Sequence, residues 1–138
     1  MSASQTIASP VNPGFWKPFF LFAAVYDAVL GAVFFFFYGP LFHALGITLP
    51  NNTSYIHITT AYIFVQGLSY WFVSRNLVKN VDMVKVGVVY KIIYAGLVFY
   101  YLVIGQLLTA LLALFALFDI VFTVFFIRFL MLASREVQ

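Results

Sequence analysis

Residues 88–105 read VVYKIIYAGLVFYYLVIG, an aliphatic and aromatic run broken by a single charge, Lys91. A run of that length matches the roughly 20 apolar residues of a transmembrane helix. An ammonium group inside it costs roughly 2.5 to 3.5 kcal/mol on insertion scales unless a partner or a wet cavity receives it. Two carboxylates stand inside other apolar stretches and are the candidate partners, Asp27 and Asp119. The fold must therefore bring helices together around a buried lysine.

The rest of the chain follows the same pattern. Of its 138 residues 64% are hydrophobic and 8% charged, against about 25% charged in soluble domains. At about 20 residues per crossing there is room for four spans and no soluble module. A single domain, 1–138, is expected, all-α and integral to the membrane, with spans at about 15–38, 55–73, 83–104 and 107–130. The chain has no cysteine, which excludes disulfides, thiolate metal sites and iron–sulfur clusters. The net charge of +3 is expected to encode topology, not nucleic-acid binding.

Taken in order, residues 1–14 are small, polar and proline-containing and are expected to form a disordered lead. Trp16 and Lys17 then anchor helix 1 at the interface, and Gly39–Pro40 end it. On that helix Ala24, Ala28, Gly31 and Ala32 share one face with Asp27, a stripe of small residues that lets another helix come close. The connection after it is expected to lie along the interface. Helix 2 carries Thr59, Tyr62, Gln66 and Ser69 on one face; helix 3 carries Gly87, Lys91 and Ala95; helix 4 carries Ala116, Asp119 and Thr123. Gly105–Gln106 leaves only a tight turn between the last two. Most of the 29 aromatic residues, 18 Phe, 9 Tyr and 2 Trp, are expected to face lipid.

Six basic residues, Lys17, Arg75, Lys79, Lys85, Arg128 and Arg135, fall at the chain start, the second loop and the chain end. The other two loops contain no lysine or arginine. The positive-inside rule then puts both termini in the cytoplasm. An offset of 64 residues aligns Val25-Tyr26-Asp27 with Val89-Tyr90-Lys91, and one of 53 aligns Gln66 with Asp119 and Arg75 with Arg128, the mark of two related helix pairs. Asp27, Gln66, Lys91 and Asp119 come out at a common depth, roughly 10 to 16 Å from the cytoplasmic helix ends at about 1.5 Å per residue. An up-down-up-down bundle with this polar layer inside is the simplest arrangement.

Chemically, the layer reads as a structural ion pair with a second, protonated acid, ahead of a site for proton-coupled transport. Asp27 is expected to be the nearer partner of Lys91, and Asp119 the protonated acid. His43 and His57 do not fit haem or zinc, since one is loop-borne and no acid joins them. No metal or catalytic residue is predicted, and an enzyme is disfavoured because no nucleophile elbow, phosphate loop or HExxH is present. No cofactor is predicted, although the aromatic content admits a quinone, carotenoid or lipid.

Gly31, Gly39–Pro40 with Leu45-Gly46-Ile47, Gln66–Gly67, and Asp119 before a phenylalanine-rich end together resemble the DoxX-like small bacterial membrane proteins, four-helix chains of similar size. The resemblance implies a bacterial cytoplasmic (inner) membrane location. The wider group includes a small subunit of a thiosulfate:quinone oxidoreductase. The first-helix arginine common in that group is replaced here by Asp27, so no functional residue is carried over. The expected function is a non-catalytic accessory subunit that meets the lipid bilayer and either another membrane protein or its own copies. Proton-coupled transport through the Asp/Lys layer, or binding of an apolar cofactor, are the alternatives.

Overall fold

The computed structural model describes residues 10–136, which form four α-helices and no strand: α1 (Pro13–Ala44), α2 (Ser54–Arg75), α3 (Val81–Val103) and α4 (Ala110–Glu136). By length and composition α1, α3 and α4 can cross a membrane. α2 falls short on average hydropathy because it carries Ser54, His57, Thr59, Thr60, Gln66, Ser69, Ser74 and Arg75. The most extensive packing is of α1 on α2 and of α3 on α4.

Local chemistry sets the helix ends. The Asn12 side chain accepts a hydrogen bond from the Gly14 N–H at 2.9 Å, and Pro13 follows at the position where a missing N–H costs nothing. The disordered lead expected over 1–14 needs correction at its end: Val11 is buried in the core and Pro13 is already helical. Residues 1–9 lie outside the described residues.

Gly39–Pro40 does not end α1 as expected. The helix kinks at Phe37 (φ −122°, ψ 23°) and resumes to Ala44. Pro40 has no N–H to offer the Phe36 carbonyl and its ring crowds that group, so the backbone yields one turn earlier. The helix stops where Gly46 takes φ +68°, with Ile47 N–H donating to the Phe42 carbonyl at 2.8 Å. α3 ends the same way: Gly105 takes φ +72° and Gln106 N–H donates to the Tyr101 carbonyl at 2.9 Å. Both are Schellman-type ends that favour glycine. The connection that follows is longer than the tight turn expected, since α4 begins at Ala110, where the Thr109 hydroxyl accepts from the Leu111 N–H at 3.3 Å. α4 also runs to Glu136, past the expected 130, because no breaker interrupts LMLASRE.

The small stripe is consumed inside the chain. A methyl group added at Gly31 would lie 2.6 Å from Phe64 N and 2.8 Å from the Thr60 carbonyl oxygen. One added at Gly67 would lie 2.6 Å from Ala28 N and 2.7 Å from the Ala24 carbonyl oxygen. Backbone therefore meets backbone across α1 and α2, which only glycine permits at these two points.

The core sits in two parts. The larger gathers the start of α1, the end of α2, the start of α3 and the end of α4, and includes Trp16, Phe20, Tyr70, Val84, Phe126 and Phe129. The smaller joins Ala95 and Val98 of α3 to Ala116 of α4. Along α3 and α4, Lys91 and Asp119 fall between the two. One expectation changes here. Trp16 is a core residue, with its ring 5.3 Å from that of Phe129, and not an interfacial anchor. The aromatics divide between surface and interior: Phe22, Phe36 and Phe64 are exposed, whereas Phe20, Phe126 and Phe129 interlock at centroid distances of 4.9 to 5.2 Å.

Candidate functional site

Three helices each contribute one ionisable group to a single buried cluster. Lys91 of α3 is 1% exposed, Asp27 of α1 is 3% and Asp119 of α4 is 5%. The Lys91 Nζ donates to Asp119 Oδ1 at 2.8 Å and lies 3.5 Å from Asp27 Oδ2. Asp119 is thus the nearer partner, and the expectation that Asp27 would be is corrected. The reason is helix pairing: α3 packs extensively on α4, which brings residues 91 and 119 together, while α1 is committed to α2. Asp27 Oδ2 has no hydrogen bond.

The ammonium is also ringed by π faces. Its Nζ lies 5.0 Å from the Phe122 centroid, 5.5 Å from Tyr70, and 6.0 Å from both Tyr90 and Phe126. Such contacts are worth about 2 kcal/mol when desolvated. Gly87 makes the arrangement fit, since a methyl group there would lie 2.8 Å from both Cε1 and Oη of Tyr70. On α4 the Thr123 hydroxyl donates to the Asp119 carbonyl at 2.7 Å, which removes a polar group from competition for the carboxylate. Gln66, expected in the same layer, is half-buried and stands outside the ion cluster; its Nε2 and the Tyr70 Oη are both buried without a hydrogen-bond partner.

Beside the two carboxylates opens a cavity of about 380 Å³. Asp27 and Asp119 line it together with the phenols Tyr26, Tyr90 and Tyr94. Its walls are Leu30, Phe34, Ile56, Ile63, Leu111, Leu112 and Phe115, and Phe42, Leu45, Ile47, Tyr55, Leu108 and Thr109 line it from the end of the bundle where α1 and α3 terminate. It lies where the second half of α1 and the first half of α2 contribute few buried side chains. On the other side of the triad, Phe20, Tyr70, Phe122, Phe126 and Phe129 close the bundle.

Sequence reasoning does not pick out Tyr26, Tyr90 and Tyr94 as site residues. A signal for them exists: Tyr90 and Tyr94 stand four apart on one helix face, and the 64-residue offset pairs Tyr26 with Tyr90. His57 packs its ring against Phe35 at 4.8 Å and Tyr38 at 5.1 Å. No protein-family model, curated protein or solved structure matches the chain.

Proposed function

We propose that this chain is a four-span membrane protein that binds an apolar small molecule in the cavity between its helix pairs, with the molecule's polar end against Asp27 and Asp119. The observation that carries the reading is the cavity itself, mostly apolar along its walls, with two carboxylates and three phenols gathered at one end and Tyr55, Thr59, Thr60 and Thr109 as its other polar residues. Small-molecule sites have this form, an apolar body with a few converging polar groups. The aromatic closure beyond Lys91 favours binding over conduction.

α2 serves as the fourth span despite its composition. Its exposed large side chains are Tyr55, Ile58, Tyr62, Phe64, Val65, Leu68, Trp71 and Phe72, which suit lipid. The hydroxyls of Thr60, Ser69 and Ser74 each donate to a carbonyl one turn back in their own helix, at 2.6 Å, and so are hidden from lipid. An up-down-up-down order with both termini in the cytoplasm is supported by the placement of its six interfacial lysines and arginines. An accessory-subunit role would use the α1 stripe as an outward contact. With α2 occupying that stripe, the cavity is the stronger argument.

The test is retention of a neutral decyl benzoquinone by the detergent-purified protein in equilibrium dialysis. Binding near one per chain is expected, lost when Leu112→Trp fills the cavity and kept when Val124→Trp is placed on the 62% exposed outer face of α4. Equal retention by both variants would overturn the reading. Mass and absorbance measurements on the purified protein would show any molecule carried through purification.

A further inference from the structure

We infer that the molecule taken by the cavity is a lipophilic cation, an ammonium or phosphonium head on an apolar body, with the head against Asp27. This rests on the binding reading above and narrows it to one chemical class.

The charge count of the triad, and the direction its carboxylates face, favour a cation. Two carboxylates and one ammonium in contact leave a formal charge of minus one, and all three groups are buried. Lys91 gives its short hydrogen bond to Asp119 and only a 3.5 Å contact to Asp27, whose Oδ2 has no hydrogen bond, so Asp27 is the carboxyl group with room for a second cation. Both carboxylates line the cavity, and among its lining residues there is no lysine, arginine or histidine. The Lys91 Nζ lies among the rings of Phe122, Tyr70, Phe126 and Tyr90, of which only Tyr90 lines the cavity, and Lys91 itself does not. A molecule inside therefore meets the negative face of the triad, with the positive charge behind it. A buried carboxylate in a low-dielectric site is strongly stabilised by a cation brought into contact with it.

The walls supply the second argument. Tyr26, Phe34, Tyr90, Tyr94 and Phe115 line the same cavity, and aromatic faces attract cations that have shed water. A bare metal ion does not suit the site. Hard cations require about six or more oxygen ligands, and among the described residues no group of three or more His, Cys, Asp or Glu could hold a metal. An organic cation needs one carboxylate and an apolar enclosure, which is what the cavity offers. A neutral ligand gains nothing from the carboxylate's charge, so the two classes respond differently to its removal.

The experiment compares two probes matched in size and opposite in charge, tetraphenylphosphonium and tetraphenylborate, by equilibrium dialysis of the full chain in mild detergent beside detergent alone. The neutral decyl benzoquinone serves as a third probe. The expected result is retention of the phosphonium over the borate by roughly tenfold or more. Asp27→Asn should lower phosphonium retention by about the same factor, well beyond its effect on quinone retention, whereas Val124→Trp on the outer face should leave both unchanged. Borate held as well as phosphonium, or full phosphonium affinity in Asp27→Asn, would overturn the inference and leave the cavity reading standing. Failure to retain any of the three probes would overturn both. Should Asp27→Asn not fold, the comparison of the two ions on the unaltered protein decides the matter alone.

Discussion

Gly31 and Gly67 are reciprocal keys in one helix contact: each occupies the point where its own helix touches the backbone of the other. The space for a side chain is absent on both sides, with main-chain atoms 2.6 Å from the place a Cβ would take. Neighbouring backbone cannot move aside as a flexible side chain can. Gly31→Ala and Gly67→Ala should therefore each cost about 1–3 kcal/mol, the usual range for overpacking, in spite of alanine's better helix propensity. Gly96, also helical but with nothing within 4 Å of its would-be Cβ, is the control. Its alanine variant should be neutral or slightly more stable. Thermal unfolding in detergent measures all three, and a Gly31→Ala protein as stable as Gly96→Ala would contradict the close contact.

The triad makes a second prediction. Lys91→Met leaves two carboxylates in contact with no cation, and the expected loss is about 3 kcal/mol, reduced to the extent that one of them takes a proton. Combining it with Asp119→Asn should restore more stability than combining it with Asp27→Asn, because the 2.8 Å hydrogen bond is to Asp119 and the 3.5 Å contact to Asp27. Double-mutant cycles on the two pairs give the coupling energies directly. A larger coupling for Lys91 with Asp27 would reverse the assignment.

Much of the fold is legible in the sequence, and the reasons for the rest are local. Apolar runs of membrane length mark the helices, and a buried lysine requires buried acids, so Asp27, Lys91 and Asp119 group together on the amino-acid sequence alone. Which acid lies nearer Lys91 does not follow from it, since that depends on α3 packing on α4 in preference to α1. Pro40 reads as a terminator because the penalty for an internal proline is large, yet the apolar LFHA around and after it recovers enough helix to make it a kink. The small stripe on α1 announces a close contact but not its partner. Gly67, on an otherwise bulky face of α2, is the sign that the partner is in the same chain. The cavity has no signature at all, because a void is a property of packing between helices and not of any one of them.

Topology gives a third prediction. Asn52, before α2, and Asn80, before α3, lie at opposite ends of α2. Four spans with cytoplasmic termini require cysteines introduced at these positions to react from opposite sides, Asn52→Cys with an impermeant reagent from outside and Asn80→Cys only after permeabilisation. The chain's lack of cysteine makes the labelling clean. Reaction of both from one side would leave α2 outside the set of spanning helices.

Tyr70 separates the contribution of a ring from that of a hydroxyl. Its side chain is wholly buried, its ring lies 5.0 Å from that of Phe126 and 5.5 Å from Lys91 Nζ, and its Oη has no hydrogen-bond partner. Removing an unsatisfied buried hydroxyl while keeping the ring relieves a desolvation cost of about 1–3 kcal/mol, so Tyr70→Phe should be at least as stable as the parent. Tyr70→Ala should lose about 3–5 kcal/mol, since it opens a void between α2, α3 and α4 and strips one ring from the ammonium. The same geometry links Tyr70 to Gly87, whose would-be Cβ meets the ring edge and hydroxyl at 2.8 Å. Gly87→Ala should accordingly be tolerated better in the Tyr70→Ala protein than in the parent, because the obstructing atoms are gone. A cycle of these two changes, followed by thermal unfolding, should show that compensation; strictly additive losses would mean that Tyr70 does not occupy the space beside Gly87.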